Sequence, residues 1–331
     1  MMEAGKCWIR LDTEYSACSV EVVTSDQWGS LAAVGLYQLE EGSGARLGRI
    51  LLLSLTLEGG EAGPTCREVD RVQQCPAVLD MKWWTSGRNC RLAVADAAGD
   101  LTLYSLDSAA CQLERQVSLN LTPGLTLALD WTLDGKELVV SDSNGKVHLV
   151  RVGESDLIAT TTLAAHSHEA WTCCWDRGQG GPLIYSGGDD CVLCLWDGRV
   201  GERPVQRNSK THQAGVTAVQ CDTLLRSGSY DEQVRVWEPR QLRSELHTTA
   251  VGGGVWRIRQ SGEHTLVAAM HDGFKLVRAG RVEAEYRGHA SLAYGADWTG
   301  LQLEREGQRH HLLATSSFYD HLFTLWTVPA T

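Results

Sequence analysis

Three stretches of the chain, GDDCVLCLW (188–196), SYDEQVRVW (229–237) and FYDHLFTLW (318–326), each place a Trp six residues after an Asp. A fourth, MHDGFKLV (270–277), keeps the Asp and carries Arg278 where the Trp should stand. Self-similarity at a fixed spacing constrains a fold more than any local propensity, because each copy is a unit that buries its faces only against its neighbours. Aligning the residue at the tight turn before each late strand gives Gly48, Ala98, Asn144, Asp190, Asp231, Asp272 and Asp320, seven units spaced 41 to 50 residues apart. Each unit pairs a β-rich stretch (LIYSG, LLRSG, LVAAM, LLATS) with a second one (VLCLW, VRVW, FKLV, FTLW) that is apolar on both alternating faces. Strands buried on both sides are what stacked sheets require.

With Trp-Asp at 196–197 and near copies at Trp237-Glu238 and Trp326-Thr327, the array resembles the WD-repeat family. The resemblance implies an all-β chain, a seven-bladed WD-repeat β-propeller of four-stranded blades. One domain is expected over residues 1–331. Only Pro329, Ala330 and Thr331 follow the third strand of the last blade, LFTLWTV, so CWIRLD (7–12) is expected to complete that blade and remove two open sheet edges. The Gly-rich segments at 40–48 and 57–65 read as surface loops of the first blade, and GLQLEREGQRHH (300–311) as a further loop.

A formal charge of −11 and a pI near 5.5 argue against a polyanion-binding surface, so nucleic acid is not an expected partner. The opening MMEAGKCWIR lacks a basic region followed by an apolar core, and the longest apolar run, RILLLSLTL (49–57), is too short for a membrane span. A soluble, cytoplasmic monomer without membrane contact is the expectation. The eleven cysteines are odd in number and scattered, which suits reduced, buried thiols better than a disulfide framework. Cys173-Cys174 and Cys191-x-x-Cys194 suggest metal spacing but fall in expected strands, where odd offsets point to opposite faces. No metal and no cofactor are therefore expected.

WD-repeat blades share a hydrogen-bonded set of His, Ser or Thr, Asp and Trp. The resemblance assigns it here to His166, Ser186, Asp190 and Trp196; to His212, Ser227, Asp231 and Trp237; and to His289, Ser316, Asp320 and Trp326. Three copies in one chain fit a repeated structural role, not a catalytic triad. His168, His310 and His311 lie in polar, loop-like sequence and read as solvated. No zinc-protease helix motif, nucleophile elbow or phosphate-binding loop is present.

Residues outside those sets carry the chemistry. In a propeller the loop entering the first strand and the turn between second and third strands share one face. The position before the turn Asp is Asp189, Tyr230, His271 and Tyr319 in the last four units, and the first-strand entrances add Glu169, Trp171, Trp256, Arg257 and Tyr294. Aromatic rings with nearby carboxylates suit a quaternary ammonium ligand, since ring faces are negative and the cation needs no acceptor.

Several segments go beyond a generic WD repeat, among them DTEYSACSVE (12–21), VLDMKWW (78–84), HEAWT (168–172), YSGGDD (185–190), GSYDE (228–232), GGVWRI (253–258), MHDGFK (270–275), YGADW (294–298) and TSSFYDH (315–321). They resemble the diphthine methyl esterase family of diphthamide biosynthesis, whose members were once described as methyltransferases. The resemblance implies hydrolysis of a methyl ester on a trimethylammonium-bearing modified histidine of translation elongation factor 2. Trp171, Tyr230, Trp256, Tyr294 and Tyr319 are then candidates to cage the cation, with Glu169 or Asp189 adding counter-charge. Ester hydrolysis needs a base, an acid and oxyanion donors. His271 is the first candidate for the acid–base role and His321 the second, with Arg257 and Tyr319 as oxyanion donors. The competing reading is a non-catalytic adaptor, such as a cullin-4 ubiquitin-ligase substrate receptor, using Arg199 of WDGR (196–199) and Arg240 of WEPR (237–240).

Overall fold

The computed structural model describes residues 3–25, 29–58, 63–107, 109–178, 182–199, 201, 203–305 and 307–330. They form strands and turns and no helix, arranged as seven sheets, the blades of a seven-bladed β-propeller. Numbered in chain order, the blades take residues 16–76, 78–120, 126–164, 172–208, 216–250, 257–286 and 293–329, the first six each as an antiparallel meander of four strands and the last as a meander of three. The chain packs as two compact units. One is Met1–Val78, Ser105–Glu114 and Arg259–Thr331; the other is Leu79–Tyr104 and Arg115–Ile258.

The two-sided apolar strands are buried as their sequence demands. In blade four, Leu183–Gly187 is buried at every position and Leu193–Trp196 likewise, while the last strand of blade three, Leu157–Ala164, is mostly exposed. Side chains of successive blades share clusters: Val139 and Leu149 of blade three pack with Ile184, Cys194 and Trp196 of blade four. Burial of each such side chain contributes roughly 1.5–3 kcal/mol. Cys173 and Cys174, adjacent in one strand, enter different clusters.

Carboxylates tie first strands together. Asp80 of blade two accepts the backbone N–H of Leu129 at 3.2 Å, Asp130 of blade three accepts that of Trp175 at 3.0 Å, and Asp297 of blade seven accepts that of Val22 at 2.7 Å. A carboxylate that accepts a backbone N–H makes a charge-assisted bond, stronger than an amide–carbonyl pair. Each is therefore a polar rivet between blades.

Lys6–Asp12 pairs antiparallel with Leu322–Pro329, adding the fourth strand of blade seven, and Trp8 Nε1 donates to Thr327 Oγ1 at 3.0 Å. Ahead of it, Glu3–Ala4 runs parallel to Arg281–Tyr286 as a fifth strand on blade six, which the repeat pattern does not announce.

Three expectations are corrected. In blade one the turn lies at 40–45, and Gly48 sits inside the strand Arg46–Glu58, opposite Tyr37 and Cys75. The repeat puts an Asp, Asn or small residue at its turn, whereas here the turn is the Glu/Gly/Ser run before it. Of the segment 57–65, residues 57–58 and 63–65 belong to strands and 59–62 lie outside the described residues. Residues 300–311 are not a loop: Gln302–Arg305 pairs with Gln308–His311 as an extension of the blade-seven hairpin. Along its first strand half-buried Leu301 and Leu303 alternate with exposed Gln302 and Glu304, the pattern of a half-solvated strand.

Candidate functional site

Three of the four structural histidine environments close as hydrogen-bonded sets with a turn Asp or hydroxyls. In blade four His166 Nδ1 meets Asp190 at 2.9 Å, its Nε2 meets Ser186 Oγ at 2.9 Å, and Trp196 Nε1 donates to the same Oγ at 2.9 Å. Burial pushes the Asp190 carboxyl up, but the His166 hydrogen bond and two backbone N–H donors outweigh it and hold the group below the usual carboxylate range. In blade three His148 takes an analogous place against Asp142 at 3.1 Å. In blade five His212 and Trp237 share Ser227 at 2.9 and 2.8 Å, but Asp231 pairs with Arg235 at 2.9 Å instead, and His212 Nδ1 has no hydrogen-bond partner among the described residues. In blade seven the hydroxyl that receives Trp326 Nε1 is Thr315, at 3.1 Å, not Ser316, whose Oγ faces the carbonyl of Ala17. The alternation of a strand explains the slip, since neighbours point to opposite faces. His289 there meets Ser317, Thr315 and Thr324, and Ser317 in turn donates to Asp320. His310 is buried and His311 half-buried against Trp298 at 5.3 Å, so neither is the solvated loop residue its sequence suggests.

Within the second unit, turns and strand entrances are stitched in steps. Asp189 N donates to Glu169 O at 2.9 Å, Val216 N to Gly188 O at 2.9 Å, Tyr230 N to Gly215 O at 3.0 Å and Val255 N to Ser229 O at 3.0 Å. The steps bring together side chains of blades four, five and six. Trp171 lies 5.7 Å from Trp256 and 6.3 Å from Tyr230, and Tyr230 lies 6.3 Å from Trp256, ring centre to ring centre. Trp171 Nε1 donates to Asp189 Oδ1 at 2.9 Å, which fixes the ring and the carboxylate together. Gly215 makes this possible: a Cβ there would stand 2.6 Å from the Asp189 carboxylate and 3.2 Å from the Tyr230 ring. Burial pushes the Tyr230 phenol up to about 12, reinforced by the charges of Asp189 and Glu169, so it is neutral at physiological pH. Three half-buried aromatic rings with two carboxylates beside them form a surface suited to an organic cation.

Beneath the strand entrances of the same unit lies a charged core. Asp80, 1% exposed, accepts from Arg257 at 2.8 Å and from Lys82 at 3.2 Å. Burial pushes the Lys82 ammonium below its usual range, Asp80 pulls it up, and Arg257 pushes it down. Arg177 meets Asp130 at 2.5 Å nearby in the fold's first-strand series. Arg257 thus commits at least one of its five N–H donors to a structural carboxylate.

In the first unit, Ala293 N donates to Met270 O at 2.9 Å, Phe318 N to Leu292 O at 3.0 Å and Thr13 N to His321 O at 2.8 Å. Tyr294 packs 5.0 Å from Phe318, which also meets Tyr319 at 4.9 Å and Tyr37 at 5.7 Å. Tyr319 is 71% exposed. His271 is exposed and His321 half-buried, and neither imidazole forms a hydrogen bond or ion pair among the described residues. Next to His271, Asp272 is held by Lys275 at 2.7 Å and Arg287 at 2.8 Å, so the blade replaces the usual histidine set with ion pairs. The sequence-predicted residues therefore fall into two sets: Glu169, Trp171, Asp189, Tyr230, Trp256 and Arg257 in one unit, His271, Tyr294, Tyr319 and His321 in the other. Phe318, Tyr37, Asp80 and Lys82 were not singled out by sequence. The D-x-K spacing at 80–82, which sets both side chains on one face of a strand, was the available signal for the last two.

Comparison with known proteins places this geometry. The WD domain, G-beta repeat, matches residues 158–197 and 204–238. A chain in the crystal structure of the mitotic checkpoint complex superposes with a TM-score of 0.73 over 99% of this chain and 93% of that one, at 17% identity, a likeness of fold alone. Diphthine methyltransferase of Mus musculus is 36% identical, covering 88% of this chain and 69% of its own length. That of Homo sapiens is 34% identical over 88% of this chain and 74% of its length, and that of Schizosaccharomyces pombe 29% identical over 95% and 96%. The seven blades, the WD repeats and an identity of more than a third over most of both chains place this chain in the diphthine methyltransferase family of WD-repeat proteins.

Proposed function

We propose that the protein acts in diphthamide biosynthesis as a diphthine methyl ester hydrolase on translation elongation factor 2. The observation that carries the reading is the Trp171–Tyr230–Trp256 cluster with Asp189 bonded to Trp171 at 2.9 Å. The trimethylammonium group of the substrate carries a positive charge and no N–H, so ring faces and nearby carboxylates suit it better than a single acceptor does. The hydrolysis itself requires a base to take a proton from water as its oxygen attacks the ester carbonyl. The tetrahedral intermediate then collapses and the departing methoxide takes a proton, giving a carboxylate and methanol. His271 is the proposed acid–base group, with His321 second. Support comes from their unbonded imidazoles, in contrast to His148, His166 and His289, which are committed to the blades. Arg257 and Tyr319 are the proposed oxyanion donors.

The test is methanol release, followed by mass, from elongation factor 2 bearing the methylated intermediate. Trp256→Ala is expected to lower kcat/KM by at least about tenfold, because a desolvated cation–π contact is worth ~2 kcal/mol. His271→Ala is expected to lower kcat by ~100-fold or more while binding persists. A folded Trp256→Ala protein with full turnover sinks the cage, and full turnover by His271→Ala moves the base to another group. The adaptor reading loses one of its two arginines to the blade itself, since Arg199 folds back on Asp197 through two bonds of 2.9 and 2.7 Å.

A further inference from the structure

Several cations of this chain are tied to carboxylates. Arg177, Arg235, Arg257, Lys275 and Arg287 each lie within 3 Å of a carboxylate. A groove of about 600 Å³ between residues 205–211 of blade four and 240–243 of blade five breaks the pattern. Arg207, Lys210, Arg240 and Arg243 line it, all four are exposed, and no carboxylate is among the lining residues. Their side chains make no ion pair or hydrogen bond among the described residues. Asp197, the acid whose charge reaches Arg240, is already bound by Arg199. In a chain of net charge −11, four cations without an ion pair among the described residues line one cleft and repel one another.

The walls are built to hold this arrangement. Asn208, 7% exposed, donates to the Leu242 carbonyl at 2.6 Å and its Oδ1 accepts the N–H groups of Lys210 and Thr211 at 3.0 and 3.1 Å. Gln206 accepts from Leu242 N at 2.9 Å and donates to the Arg240 carbonyl. Arg240 stands in the left-handed region at φ 66°, and its N–H is received by the buried Tyr185 hydroxyl at 3.2 Å. Two blades are thereby pinned across the groove, and the main chain at Arg207, Lys210 and Arg240 is held before any ligand arrives.

We propose that this groove is a docking site for an acidic segment of a partner protein, its Asp or Glu side chains paired with Arg207, Lys210, Arg240 and Arg243. Nucleic acid fits less well. None of the lining residues is aromatic, so no base can be stacked. The site lies outside the aromatic cluster and does not rest on the hydrolase reading.

The experiment titrates the full-length chain into fluorescein-labelled hexaglutamate and reads anisotropy at low and moderate salt, with hexalysine and a thymidine hexanucleotide as parallel probes. Saturable binding of hexaglutamate that weakens with salt, about tenfold or more in Arg207→Glu/Arg243→Glu, supports the site. Lys210→Gln/Arg240→Asn serves as a second variant that removes charge without adding acid; Asn is tolerated at a left-handed position. Thermal melts confirm that both variants fold. No saturable hexaglutamate binding, binding indifferent to both variants, or equally tight binding of the hexanucleotide overturns the proposal. Methanol release is not the readout, so its failure leaves the hydrolase reading as it stands.

Discussion

Blades four and five carry the same residue types at the same spacing, and they use them differently. In both, a Ser bridges a His and a Trp within 2.8–2.9 Å. In blade four the turn Asp completes the set by taking His166; in blade five it takes Arg235. The deciding difference is four residues after the Asp, where blade four has Cys194 and blade five Arg235. A buried guanidinium needs a carboxylate more than a neutral imidazole does, so it wins the Asp and strands one histidine nitrogen. Burial, and then the Arg235 charge, push the His212 imidazole down to about 4. A motif thus fixes where residues lie, while one neighbour outside it decides which of them pair.

The comparison breaks or sharpens on three measurements. Arg235→Leu should have the largest effect, about 3–5 kcal/mol of lost stability in urea, because it leaves Asp231 as a buried carboxylate without its cation. A loss below about 1 kcal/mol means that the Asp returns to His212 and the pairing is freely exchangeable. Next comes acid. Unfolded His212 binds a proton near its ordinary value of 6.5, whereas folded His212 does so only near 4. The folded state therefore binds fewer protons between those values, and stability falls as pH drops from 6.5 to 4, by on the order of 3 kcal/mol from this residue. His289, held down to about 4 by burial, adds to the same slope. His212→Gln should flatten it, which melts at pH 7, 5.5 and 4.5 will read. The smallest effect is a predicted equality: Ser186→Ala and Ser227→Ala should each cost about 1–3 kcal/mol, since each hydroxyl serves a His and a Trp in the same geometry. A difference above about 1 kcal/mol would show that Asp190 strengthens the whole set, not only its own bond.

Where the turn carries an Asp or Asn, the repeat was legible to the residue, and the fold followed. Blade one escaped because its turn has neither, so the alignment slid onto Gly48, inside a strand. Blade seven slipped by one residue, which in a strand is a change of face and exchanged Ser316 for Thr315. Among candidate site residues, Trp171 and Trp256 were readable because each stands at the entrance to a first strand, and Tyr230 because it stands directly before a turn Asp. Tyr37 was not, lying in the blade whose motif is absent, and Phe318 passed for part of a turn. The bond from Arg257 to Asp80 spans 177 residues, and no local pattern encodes such a pairing.

The strand Lys6–Asp12 has a consequence for how the molecule is made. Its partner, Leu322–Pro329, is synthesised long after it, and the bond from Trp8 to Thr327 joins residues 319 apart in sequence. On the ribosome the early strand must wait, with unpaired backbone, until all the blades between the two strands have emerged. Such a waiting edge invites pairing with other nascent chains, and the Lys6 and Arg10 charges along it act as guards during that interval. The slowest contact to form is thus the one that must be kept available longest, and the final blade becomes a natural checkpoint between a folded protein and an aggregating one.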